Sequence, residues 1–147
     1  MSNGNHQICS QPPPRDWQQG AGVCLVFRKQ NNRIEGYYGY PHSDAFVCLR
    51  GVINGTQIVG QGYLVSWEGS RWDTFPNKPF FWDGEKQLQL AQGKRIRSHP
   101  PSQDWILFQK ATLNFQSFYL YQKPQMTSPK QLCDWRFEKK NNLMFTA

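Results

Sequence analysis

His42, Ser43 and Asp44 stand side by side and supply the residue types of a hydrolytic relay. Such a relay is assembled in space from separate elements, and three neighbours in one tight loop cannot aim at a common point. After Pro41 the expected role is a turn in which Ser43 or Asp44 accepts from nearby backbone N–H groups. Asp73, Asp83 and Glu85 contain a pair that would suit glycosidic acid–base chemistry. Their spacing suits solvated surface carboxylates equally well. The chain has no Gly-x-Ser-x-Gly, phosphate loop or dinucleotide fingerprint. No catalytic residue is assigned, and a non-enzymatic role is expected.

Cys9, Cys24, Cys48 and Cys133 allow three disulfide pairings. No Cys-x-x-Cys spacing is present and the three histidines are scattered, so neither a zinc site nor any other cofactor is expected. Lys94-Arg95-Ile96-Arg97 and Lys139-Lys140 are the densest basic runs. The stretch from Trp67 to Trp82 holds Trp67, Trp72, Phe75, Phe80, Phe81 and Trp82, broken by Pro76 and Pro79. Loops of that length without their own secondary structure are uncommon and often functional. These rings could line a ligand mouth, or they could form a buried lid, because exposing so many would invite aggregation.

The elements that must position these residues are strands. Val23, Leu25 and Phe27 alternate with Cys24, Val26 and Arg28, the period of a half-buried strand. Asn31-Asn32 then suits a two-residue hairpin turn. That turn sets Arg28 opposite Glu35 and Phe27 opposite Gly36, a charge pair and a ring covering a glycine. Further strands are expected over Ile34 to Tyr40, Phe46 to Ile53 and Gln57 to Val65, with Asn54-Gly55 between the last two. Propagated, the registers put Leu25, Phe27, Tyr38, Val47, Leu49, Ile53, Ile58 and Leu64 on one face. Cys24, Arg28, Glu35, Tyr37, Cys48, Arg50 and Gln61 take the other. Cys24 and Cys48 are then separated by a third strand, roughly 10 Å, beyond the ~7 Å limit of a disulfide. Either one of them pairs with Cys9 or Cys133, or all four remain reduced thiols.

Beyond the aromatic stretch, Gln87 to Ala91, Arg95 to Arg97, Trp105 to Lys110 and Thr112 to Gln122 read as strands, and Leu132 to Phe137 as a strand or short helix. The fold class is all-β, an antiparallel meander of about 6–8 strands closing wholly or partly into a barrel. Residues 1–21, with Pro12-Pro13-Pro14, read as a polar arm. Residues 22–147 read as a single barrel-like domain with a long aromatic loop at 67–84.

The run Trp17 … Gly22-Val23-Cys24-Leu25-Val26-Phe27, then Gly36-Tyr37-Tyr38 and Gly51 … Asn54-Gly55 … Gly60, resembles the opening of a lipocalin-like (calycin) barrel. That resemblance implies an up-and-down barrel whose interior binds small apolar ligands. The Gly-Tyr-Tyr … Pro-x-Ser-Asp pattern also resembles small β-rich cyanobacterial proteins, which implies no activity.

Composition sets the remaining bounds. Of 147 residues 15% are aromatic and only 18% charged, which favours short strands joined by turns over a helical bundle. The formal charge of +7, from 17 Lys and Arg against 10 Asp and Glu, favours encounter with anions. No apolar run approaches the ~20 residues of a membrane-spanning helix. The first residues do not read as a signal peptide, so a cytoplasmic location is expected unless a leader was removed. The leading expectation is a non-enzymatic binding protein that holds a small apolar ligand or docks a partner protein. Its ligand residues would be Tyr38, Tyr40, Leu64, Trp67, Trp72, Phe80 and Trp82. The alternative is a basic accessory subunit docking an acidic protein surface or nucleic acid through Arg50, Lys94, Arg95 and Arg97, with Tyr37 and Tyr63 as outward rings. A hydrolase comes third.

Overall fold

The computed structural model describes residues 1–15, 22–41, 46–67, 78–99, 103–124 and 135, with backbone alone for 65–67, 97–99 and 103–104. The described elements are all strands: β1 (Gly4–Cys9), β2 (Cys24–Gln30), β3 (Arg33–Gly39), β4 (Phe46–Asn54), β5 (Gln57–Trp67), β6 (Phe80–Phe81), β7 (Leu88–His99), β8 (Gln103–Asn114) and β9 (Tyr119–Tyr121). They form one nine-stranded sheet in the order β6-β7-β8-β5-β4-β3-β2-β1-β9. Every pairing is antiparallel.

The connection from β8 to β9 shows why this sheet is not flat. Asn114 and Tyr119 end and begin strands five residues apart, a reach of about 18 Å at most. Six strand steps separate β8 from β9 in the sheet order, roughly 29 Å if laid flat. The sheet must curl to bring them together, and it does so as a half-barrel.

The turns follow from residue type. Asn31 takes a φ of 58° and Gly55 a φ of 65°, the left-handed region these residues tolerate. Arg28 pairs with Glu35 and Phe27 with Gly36, as the alternation dictates. The second hairpin turns on Gly55-Thr56 rather than Asn54-Gly55, because Asn54 already pairs with Gln57. Gly51 and Gly60 face each other across β4 and β5. A Cβ on Gly60 would run into the Arg50 carbonyl, and one on Gly51 into that of Val59. Only glycine allows the strands to coil so tightly there.

The inner face carries the core. Leu25, Phe27, Tyr38, Val47, Leu49, Ile58 and Leu64 are buried together with Leu88, Leu90, Ile106, Phe108, Ala111 and Leu113. On the outer face Tyr37, Phe46, Cys48, Tyr63 and Leu107 form a second buried cluster, against which Trp135 packs. The Trp135 ring meets Tyr63 edge-on at 4.5 Å.

Several elements differ from the sequence expectation. Gly4–Cys9, assigned to the arm, is strand β1, seated between β2 and β9 and tied by a Cys9–Cys24 disulfide. Within the stretch assigned to the aromatic loop, Phe80–Phe81 form β6 and Trp67 ends β5. β7 and β8 are each one long strand, whereas the pattern suggested a break near Gly93 and another at Ala111. The strand expected over Thr112 to Gln122 is divided: its first half ends β8 and Tyr119–Tyr121 crosses to the opposite edge. Residues 42–44, Asp73 and the 132–137 segment other than Trp135 lie outside the described residues.

Candidate functional site

Alternation along β2 to β5 sends one residue in two outward, and direct pairing lines those residues up across strands. Arg28 pairs with Glu35, Glu35 with Arg50, and Arg50 with Gln61, giving one polar row across four strands. The next row outward is Gln30, Arg33, Val52 and Val59. Together with Ile34 and the glycines at 36, 51 and 60 these residues line an open trough of about 980 Å³.

Its electrostatics are one-sided. Among the described residues that line it, Arg28, Arg33 and Arg50 stand against a single carboxylate, Glu35. Arg28, Arg33 and Glu35 are exposed. Arg50 is half-buried and held in place: its Nε and Nη2 donate to Gln61 Oε1 at 3.1 and 2.7 Å, and its guanidinium lies 4.2 Å from the Trp135 ring centroid. Gln61 Nε2 in turn donates to Gln109 Oε1 at 2.8 Å, carrying the row onto β8. A β-bulge makes that contact possible. Between the Gly60–Ala111 and Gly62–Phe108 pairs, Gln61 faces two residues of β8.

The inner face offers a different arrangement. The turn between β6 and β7 folds across to the middle of the sheet, where the Tyr38 hydroxyl donates to Asp83 Oδ2 at 3.1 Å. Asp83 also accepts from the Gln87 and Leu88 amides. The Val23 amide donates to Glu85 Oε2 at 3.1 Å and to Ser10 Oγ at 3.0 Å. Burial, then the Asp83 charge and hydrogen bond, push the Tyr38 hydroxyl far above its usual range. Tyr40 is raised by burial and by the charges of Glu85 and Asp83. Asp83 is therefore a buried acceptor of three hydrogen-bond donors, which rules out for it the solvated surface role that was one of the two its spacing allowed.

The residues expected to hold a ligand divide accordingly. Tyr38 and Leu64 are in the core, and Tyr40, Phe80 and Trp82 pack against it from its margin. Trp82 lies 5.8 Å from Tyr38 and Phe80 5.6 Å from Phe108. Trp67 is placed only as the last residue of β5, and Trp72 lies outside the described residues. The expected docking residues do not form one patch. Lys94 and Arg95 are exposed on β7, whose backbone also carries Arg97. Three strand steps separate β7 from the strand bearing Arg50, about 14 Å. Tyr37 and Tyr63, read as outward rings, are 8% and 1% exposed, so neither is a stacking platform. Sequence reasoning missed Arg28, Arg33, Gln30 and Gln61 as site residues, although its registers had placed Arg28 and Gln61 on the face of Arg50.

Among the described residues no group of three or more His, Cys, Asp and Glu is placed to hold a metal ion. None of them forms a helix long and apolar enough to cross a membrane. No protein-family model, curated protein or solved structure matches the chain.

Proposed function

We propose that this chain is a non-enzymatic binding protein that docks an anionic partner on the outer face of β2 to β5. One observation carries the reading: Arg28, Arg33 and Arg50 line a single trough whose described residues include one carboxylate. Arginine presents a planar fork of donors suited to carboxylate, sulfate and phosphate groups. Arg50 is already oriented by Gln61 and Trp135, so less side-chain freedom is lost when a ligand arrives. The overall charge of +7 adds long-range attraction.

The alternative of a small apolar ligand inside the barrel would require the packing of Leu25, Tyr38, Leu49 and Phe108 to open, since all four are fully buried. A nucleic-acid surface would want exposed rings for stacking, and the outward tyrosines of β3 and β5, Tyr37 and Tyr63, are buried. The Cys9–Cys24 disulfide and the disulfide-bonded state of Cys48 favour an oxidising compartment.

Titration with dextran sulfate, followed by Trp fluorescence or calorimetry, tests the reading. The wild type binds, and affinity falls as NaCl rises from about 50 to 300 mM. Arg28→Glu with Arg33→Glu weakens binding about tenfold or more, while Lys94→Glu with Arg95→Glu changes it less than about twofold. Absent binding, salt-insensitive binding, or the opposite ranking of the two double variants would overturn the assignment.

A further inference from the structure

Resting on that docking reading, we infer that the partner is an acidic polysaccharide lying across the strands. The polar row Arg28, Glu35, Arg50 and Gln61, continued by Gln109, crosses five adjacent strands. At about 4.8 Å per strand it is roughly 19 Å long. This is a linear site rather than a point-like one, and it fits a chain molecule.

The row's chemistry narrows the class. Arginine only donates, an ionised Glu only accepts, and Gln does both. Glu35 sits in register between Arg28 and Arg50, in the middle of the basic row. A ligand that is only anionic is repelled there. A ligand with hydroxyl donors between its acidic groups satisfies Glu35 and the arginines together. An acidic peptide presents its N–H groups best to a sheet edge, and this surface is a sheet face.

The floor agrees. Val52 and Val59 pair directly and are 39% and 46% exposed, beside Gly51 and Gly60. That is an exposed apolar strip against which the C–H face of a sugar ring can lie.

Polygalacturonate and poly-glutamate, matched in length and compared at one salt concentration, separate the possibilities. The wild-type protein prefers polygalacturonate by about tenfold. Glu35→Ala weakens binding to polygalacturonate by about tenfold, the scale of one hydrogen bond to a charged group, and strengthens binding to poly-glutamate. Glu35→Gln, which keeps one acceptor oxygen, falls between wild type and Glu35→Ala for polygalacturonate. A Glu35→Ala protein that binds both polymers more tightly, or a wild type that prefers poly-glutamate, would refute the polysaccharide assignment and leave anion docking standing. Docking itself fails separately, if Arg28→Glu with Arg33→Glu leaves the affinity for both polymers unchanged.

Discussion

The Tyr38 hydroxyl on β3 donates to the Asp83 carboxylate at 3.1 Å, fastening the turn beyond β6 to the centre of the sheet. The two residues are 45 positions apart in sequence, and Asp83 is 4% exposed. Two backbone amides, of Gln87 and Leu88, converge on the same carboxylate. Removing the acceptor leaves buried donors unmet, so Asp83→Ala is expected to cost about 3 kcal/mol, and Tyr38→Phe about 1.5–2 kcal/mol. Urea denaturation measures both. A double-mutant cycle should return a coupling well above the scatter between independent sites.

The same pair sets an alkaline limit. The Tyr38 hydroxyl is raised above its ordinary 10.0 in the folded state. Above about pH 10 the unfolded chain loses this proton and the folded chain keeps it, so stability falls as pH rises. The slope from this one group is at most about 1.4 kcal/mol per pH unit. Tyr121 and Tyr40 are shifted in the same direction. Stability curves between pH 9 and 11 should therefore decline in the wild type and decline less steeply in Tyr38→Phe.

Cys9 and Cys24 pair directly in the β1–β2 register and close a loop with a sequence separation of 15. A loop of that size corresponds to about 3 kcal/mol in the chain-entropy account. Cys9→Ser with Cys24→Ser should lower stability by about that amount and loosen β1, which hydrogen exchange in Gly4–Cys9 would report. Cys48 is disulfide-bonded too, and no free cysteine occurs among the described residues. In protein unfolded without reductant, Cys9, Cys24 and Cys48 should therefore stay unlabelled by a thiol reagent, as peptide mapping would show.

Gly60 has its missing side chain aimed at the Arg50 carbonyl and the Gly51 backbone. Gly60→Ala has to push β4 and β5 apart, at a cost of about 2–3 kcal/mol. Thermal denaturation should show that loss. Val59→Ala, at the exposed neighbouring position, should change stability by less than about 0.5 kcal/mol.

The meander from β2 to β5 was legible in the sequence because its turns are short and its alternation is clean. Arg28 opposite Glu35 follows from counting outward from Asn31-Asn32. β8 was harder, since its bulge changes the phase. Ile106 and Phe108 face inward, and so do Ala111 and Leu113, which reads as two strands with a break. β1 carries little hydrophobic signal, being Gly-Asn-His-Gln before Ile8 and Cys9, and its place depends on partners far along the chain. The trough escaped notice for a related reason. Lys94-Arg95 are contiguous in sequence, while Arg28, Glu35, Arg50 and Gln61 are neighbours only once the strands are paired.

The docking surface is tested most directly by mapping amide and arginine side-chain NMR shifts while a sulfated dextran oligosaccharide is added. The account predicts that the largest changes fall on Arg28, Arg33, Glu35, Arg50 and Gln61, with the Arg50 side chain among the most affected and the inner-face residues Leu49 and Phe108 unmoved. Changes concentrated on Lys94 and Arg95 of β7, or on the core around Tyr38 and Trp82, would contradict it.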